Sequence, residues 1–133
     1  MKITRASDFA IRILVRLAES KSKLTSEKIA REIEVPFSHV AKIVQSLSRN
    51  GFIASSKGKN GGLRLAQDPQ KIDLSKVIQA VEGPFVLSDC ILNKGVCGFS
   101  HGCKVRKCLG QVRSEMIKVL AKTNIYDLAF SNN

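Results

Sequence analysis

No stretch of the chain comes near the ~18 consecutive apolar residues that a membrane-spanning helix needs, so the sequence offers no such span. The N-terminus has no apolar signal core either. Met1-Lys2-Ile3-Thr4-Arg5 leads straight into a charged helix, and the chain is read as cytoplasmic with no membrane partner. Catalytic constellations are missing as well. There is no glycine-rich phosphate loop, no recognisable carboxylate pair and no metalloprotease motif, and only two histidines occur in 133 residues. An enzyme is therefore not expected. Internal repeats and low-complexity segments are absent too. Acidic residues are scarce: 11 Asp and Glu face 22 Lys and Arg, for a net charge of +11.

With 44% hydrophobic and 25% charged residues, the chain should fold as one domain-sized body in water. The charge is unevenly placed. Residues 1–66 hold 13 basic against 5 acidic residues, and residues 67–133 hold 9 against 6. A basic first half points to a polyanion, with DNA the default partner of a small cytoplasmic domain.

The apolar spacing predicts a first helix over about Ser7 to Ser20, N-capped by Ser7, with Ala6, Ala10, Ile13, Leu14 and Leu17 inward. Ile11 and Val15 lie on another side, so this helix should be sandwiched between two surfaces. Thr25 caps a second helix over Ser26 to Glu34. Val35-Pro36 breaks the chain, and a third helix runs from Phe37 to about Asn50, stopped by Gly51. The pair makes a helix-turn-helix. Its second helix exposes Ser38, His39, Lys42, Gln45 and Arg49, all able to hydrogen-bond DNA.

Two short strands follow, Phe52 to Ser56 and Leu63 to Ala66. The turn between them, Lys57-Gly58-Lys59-Asn60-Gly61-Gly62, carries two lysines and no acid. A hairpin directly after a recognition-type helix reads as the wing of a winged helix; an ordinary solvated loop is the bland alternative. Lys28, Lys57, Lys59 and Asn60 join the candidate DNA-binding set, the lysines as phosphate contacts.

Beyond Asp68-Pro69 the pattern gives a helix over Asp73 to Val81, stopped by Gly83-Pro84. A glycine-bearing loop then runs over Asp89 to Cys103. A long helix spans Lys104 to about Lys122, with Val105, Cys108, Leu109, Val112, Met116, Val119 and Leu120 on one stripe. Pairing with the same helix of a second copy covers that stripe most simply, which makes a homodimer; packing within the chain is the alternative. The expected fold is mostly α. It has a winged-helix DNA-binding unit at residues 1–83, a cysteine-rich loop at 84–103, and a dimerisation helix with a C-terminal tail at 104–133.

All four cysteines fall within 19 residues, which favours metal or redox chemistry over a disulfide framework. Cys90-x6-Cys97-x5-Cys103 puts three thiols on a loop that ends at a helix start. Lys104, Arg106 and Lys107 surround the last with positive charge, a setting that thiolate ligands favour. Thiolates hold zinc or iron–sulfur clusters, and the missing Cys-x2-Cys knuckle argues against a zinc ribbon. Cys108 sits on the apolar stripe and reads as a small buried hydrophobe, with ligand or disulfide partner as the sharper alternative. His101 is a loop ligand or an exposed side chain. A small electron-transfer protein would explain the cysteines but not the helix-turn-helix.

Together these features resemble the small winged-helix iron–sulfur regulators typified by NsrR and IscR. The resemblance rests on Met1-Lys2-Ile3-Thr4 leading to Asp8, Val35-Pro36, the wing turn at 57–62, the three cysteines, and Ile125-Tyr126-Asp127-Leu128. It implies a homodimer with crossed long helices that represses from a palindromic double-stranded operator. It also implies a cluster held by Cys90, Cys97 and Cys103. The histidine that the IscR-like branch carries three residues after the third cysteine is replaced here by Arg106. Asp8 stands where the NsrR-like branch takes a fourth ligand from the partner's first helix. The resemblance thus implies 4Fe–4S in preference to 2Fe–2S, with nitric oxide or redox status as the signal. A zinc or disulfide site on the same fold is the alternative.

Overall fold

A computed structural model describes residues 3–93, 95, 97–99 and 102–131. Seven helices and one two-stranded sheet make up these residues. They are α1 (Arg5–Glu19), α2 (Ser26–Glu32), α3 (Phe37–Arg49), β1 (Ile53–Ser56), β2 (Gly62–Leu65), α4 (Leu74–Glu82), α5 (Asp89–Leu92), α6 (Lys104–Ala121) and α7 (Ile125–Phe130), with a 3-10 turn at Pro69–Lys71. No described helix is long and apolar enough to cross a membrane.

Periodicity decides most of the core. Ala10, Ile13, Leu14 and Leu17 of α1 are buried against Ile29 of α2 and Val40, Ile43, Val44 and Leu47 of α3. Fully burying one such aliphatic side chain stabilises by about 1.5–3 kcal/mol. Thr25 caps α2 by accepting from Lys28 N. Glu34 adopts φ 56° just after α2, so this helix ends earlier than its acidic tail suggested.

The start of α1 differs from expectation. Thr4, not Ser7, is the N-cap, and Ser7 is wholly buried inside the helix. Ser7 donates to Glu82 Oε1 at 2.6 Å, and Thr4 donates to the same oxygen through N (2.9 Å) and Oγ1 (2.5 Å). Burial raises the Glu82 pKa, but the bonds from Ser7 and Thr4 outweigh it and hold the carboxyl below its ordinary value. The first turn of α1 is thereby pinned to the last residue of α4.

The hairpin pairs antiparallel, with Ile53 opposite Leu65 and Ser56 opposite Gly62. Leu24 adds a bridge to Leu63, exchanging hydrogen bonds of 3.0 and 2.7 Å. At the tip, Gly61 N donates to Gly58 O at 2.9 Å. A Cβ on Gly61 would collide with Ser56 O and Lys57 C, both backbone atoms, so this turn requires glycine.

Asp73 caps α4 through Lys76 N. Burial raises the Asp73 pKa, and hydrogen bonds from Ser75 and Lys76 more than reverse it. Gly83 closes α4 at φ 85°, the left-handed geometry that glycine adopts without strain.

Two elements were unforeseen. The segment expected to be all loop begins with α5, four residues long. Residues expected as a tail form α7, whose Asn124 and Asp127 build a reciprocal capping box. Helix α7 packs on α1 and buries Ile125 completely. It supplies part of the second surface that Ile11 and Val15 of α1 required, since Leu128 lines one cleft with both. Helix α6 packs on α4 and α5. None of its residues is buried, and Val105, Val112 and Val119 are 67%, 50% and 62% exposed.

Candidate nucleic-acid interface and cysteine cleft

Helix α3 presents its apolar stripe inward, and the 3.6-residue repeat therefore turns the remaining positions to solvent. Ser38, His39, Lys42, Gln45 and Arg49 are all exposed. The wing packs onto this helix through β1. Lys57, Lys59 and Asn60 stand exposed at the wing tip, and Lys28 is exposed in the first turn of α2. Among the described residues none of these cations is tied up in an ion pair. The face is free to meet a polyanion.

Glu32 of α2 takes a 2.6 Å bond from Arg16 Nε of α1. That bond holds the Glu32 carboxyl below its ordinary value. The pair braces the helix-turn-helix against α1 on the side away from α3's exposed positions.

Three thiols line one cleft. Cys90, Cys97 and Cys103 are half-buried and line an opening of ≈ 640 Å³ with Ser88, Arg106 and Leu109. Ser88 Oγ lies 3.1 Å from Cys90 Sγ. Cys103 is the N-cap of α6, its sulfur accepting from Arg106 N at 3.5 Å. The segment is rooted by Phe85, which is buried and whose carbonyl accepts from Arg113 Nε of α6 at 2.6 Å.

Cys108 does not join them. In the single chain it is exposed on α6, on the apolar stripe that the sequence reading assigned to pairing with a second copy. His101 lies outside the described residues, as do Met1 and Lys2.

Asp8 is not at the cysteine cleft of its own chain. It is exposed, pairs with Arg12 Nε at 3.0 Å, and lines a separate cleft of ≈ 490 Å³ beside Ile11, Val15 and Leu128. The three cysteines suit a thiolate-held cluster in donor type, in their shared cleft and in the helix N-terminus and Arg106 beside them. Among the described residues, no three His, Cys, Asp or Glu side chains are gathered closely enough to hold a metal ion. Among the described residues lining this cleft there is no fourth Cys and no His, Asp or Glu.

Sequence reasoning missed Glu82 and Arg113, which act across long sequence separations and leave no local pattern.

Residues 3–131 match the family model described as Rrf2, iron-dependent transcriptional regulator. The chain is 29% identical over 136 residues to the HTH-type transcriptional regulator NsrR of Shouchella clausii, covering 100% of this chain and 91% of that one. It is 30% identical over 131 residues to NsrR of Bacillus subtilis, covering 96% and 90%. Among solved structures, the global cysteine regulator CymR of B. subtilis superposes with a TM-score of 0.78 at 23% identity, covering 100% and 99%. That likeness is one of fold.

Proposed function

This chain belongs to the Rrf2 family of transcriptional regulators, and we propose that it is a homodimeric repressor that leaves its palindromic operator when nitric oxide or redox stress reaches an iron–sulfur cluster. The observation that carries this reading is that Cys90, Cys97 and Cys103 line one cleft at the N-terminus of α6.

The DNA-facing residues divide by role. Ser38, His39, Lys42 and Arg49 enter the major groove or touch its phosphates, while Lys28, Lys57, Lys59 and Asn60 meet the backbone. Two such faces must lie about 34 Å apart, one helical turn, to read a palindrome.

Cys90, Cys97 and Cys103 of one subunit and Asp8 of the partner subunit would hold a 4Fe–4S cluster at the cleft, which would supply iron reactive toward nitric oxide. Asp8 must then leave Arg12, an exposed pair worth at most about 1 kcal/mol. Ligation of this kind fastens the cysteine segment of one subunit to α1 of the other. Because α1 packs on α3, it also sets the pose of the two recognition helices. When the thiols let go, that pose is no longer fixed and operator affinity falls.

Anaerobic absorption with iron and sulfide analysis tests this on wild type and Asp8→Ala. About four iron per subunit and a broad band at about 400 nm, both weakened in the variant, support the sensor. Zinc or a disulfide in place of iron would leave the DNA-binding regulator and remove the nitric oxide mechanism.

A further inference from the structure

Helix α1 opens with a charge that its own dipole repels. Arg5 is its first residue, exposed, and among the described residues it forms no ion pair. The turn that carries it is nonetheless held firmly, because Glu82 accepts from Thr4 on one side of Arg5 and from Ser7 on the other. Across from Arg5 stand His39 and Lys42 of α3. The three line one cleft of ≈ 520 Å³ whose floor includes Phe9 and Ile43, with Glu34 as the single carboxylate in its lining.

Cations over an apolar floor match one repeating chemical unit: a phosphodiester followed by a deoxyribose. The phosphate needs donors of positive charge, and the sugar offers an apolar face. The location fits as well. His39 and Lys42 leave α3 on the flank facing α1, so the cleft borders the helix that would lie in the major groove. The phosphates of the duplex run along that border.

We propose that the α1–α3 cleft seats one sugar–phosphate unit of the DNA backbone, with Arg5 and Lys42 at the phosphate and Phe9 against the deoxyribose. The N-terminal turn of α1 is then part of the DNA interface, and Glu82 positions it. This rests on the reading that α3 enters the major groove.

The test is duplex binding across a salt series, with a candidate operator and a scrambled duplex, for wild type, Arg5→Gln and Glu34→Gln. Arg5→Gln should weaken both duplexes by a similar factor, roughly three- to tenfold. It should also reduce the slope of log K against log salt by about 0.9, as expected when one phosphate goes unneutralised. Glu34→Gln, which removes a charge that repels phosphate, should tighten both. Folding does not confound the result, because removing a cation from the start of α1 relieves an unfavourable charge–dipole interaction and should leave Tm no lower. Unchanged affinity and slope in Arg5→Gln would overturn the cleft while leaving the regulator reading intact. So would a weakening confined to the operator with the slope unchanged, since that is base readout. Wild type that binds neither duplex would overturn the regulator reading and the cleft with it.

Discussion

Ser7 Oγ donates a 2.6 Å hydrogen bond to Glu82 Oε1, joining residues 75 positions apart. Thr4 adds two more bonds to the same oxygen. One carboxylate therefore fixes the first turn of α1, which bears both Arg5 and Asp8, to the end of α4, from which the chain runs on to Cys90.

Removing that carboxylate has a signed pH signature. The folded Glu82 lies below its ordinary value of 4.5. Its contribution is thus present above that value and lost as pH falls through the folded pKa. Glu82→Gln should cost about 1 kcal/mol at neutral pH. Thermal melts from pH 7 to pH 3 should show the gap between wild type and variant closing at the acid end. A gap that stays constant would show that the charge of Glu82 contributes nothing.

The wing turn should be intolerant at one glycine. Gly61→Ala forces a methyl onto the backbone of Ser56 and Lys57. Overpacking of this kind costs about 1–3 kcal/mol, and the Lys57–Asn60 tip would be re-aimed. Melting temperature and duplex affinity should both fall. Circular dichroism should show the helices unchanged.

Charge at the wing tip is checked separately. Lys57→Gln with Lys59→Gln should flatten the salt dependence of duplex binding by about 0.9 for each phosphate left unneutralised. The melting temperature should hardly move, because both side chains are exposed. An unchanged slope would remove the wing from the DNA-binding face.

The uncovered stripe of α6 predicts the oligomeric state. Val105, Val112 and Val119 recur every seven residues and all are at least half exposed, the spacing of a helix seam. Sedimentation of the wild type should give a dimer, and Val112→Glu should shift it to monomer at micromolar concentration. A wild-type monomer would refute the homodimer.

What the sequence disclosed and what it hid have different physical origins. The helix-turn-helix, the hairpin and the long helix announce themselves through period 3.6, a glycine-rich turn and a proline break, all local signals. Helix α7 was hidden because six residues hold fewer than two turns, too short for a period. Its Asn124–Asp127 box was the one cue available. The true cap of α1 was hidden because Thr4 and Ser7 are both good capping residues. What separates them is burial, since Ser7 is wholly enclosed by the packing of α1 on other elements. The cysteines were legible as a cluster of ligands. The environment of Asp8 was not, because the cleft it lines is assembled from α1, α2 and α7.

Helix α6 is anchored to the same body midway along its length and just past its end. Midway along it, Arg113 grips the carbonyl of Phe85. Just past its end, Leu74 N donates to Thr123 O at 3.0 Å and Ile125 N to Ile72 O at 2.9 Å. In mechanical terms it is a crossbar, not a free arm. A twist applied at Cys103 cannot dissipate by swinging the helix outward. It must be delivered as torque to the Phe85 segment and to the strap that carries α7 onto α1. Separating two subunits would accordingly leave each crossbar in place.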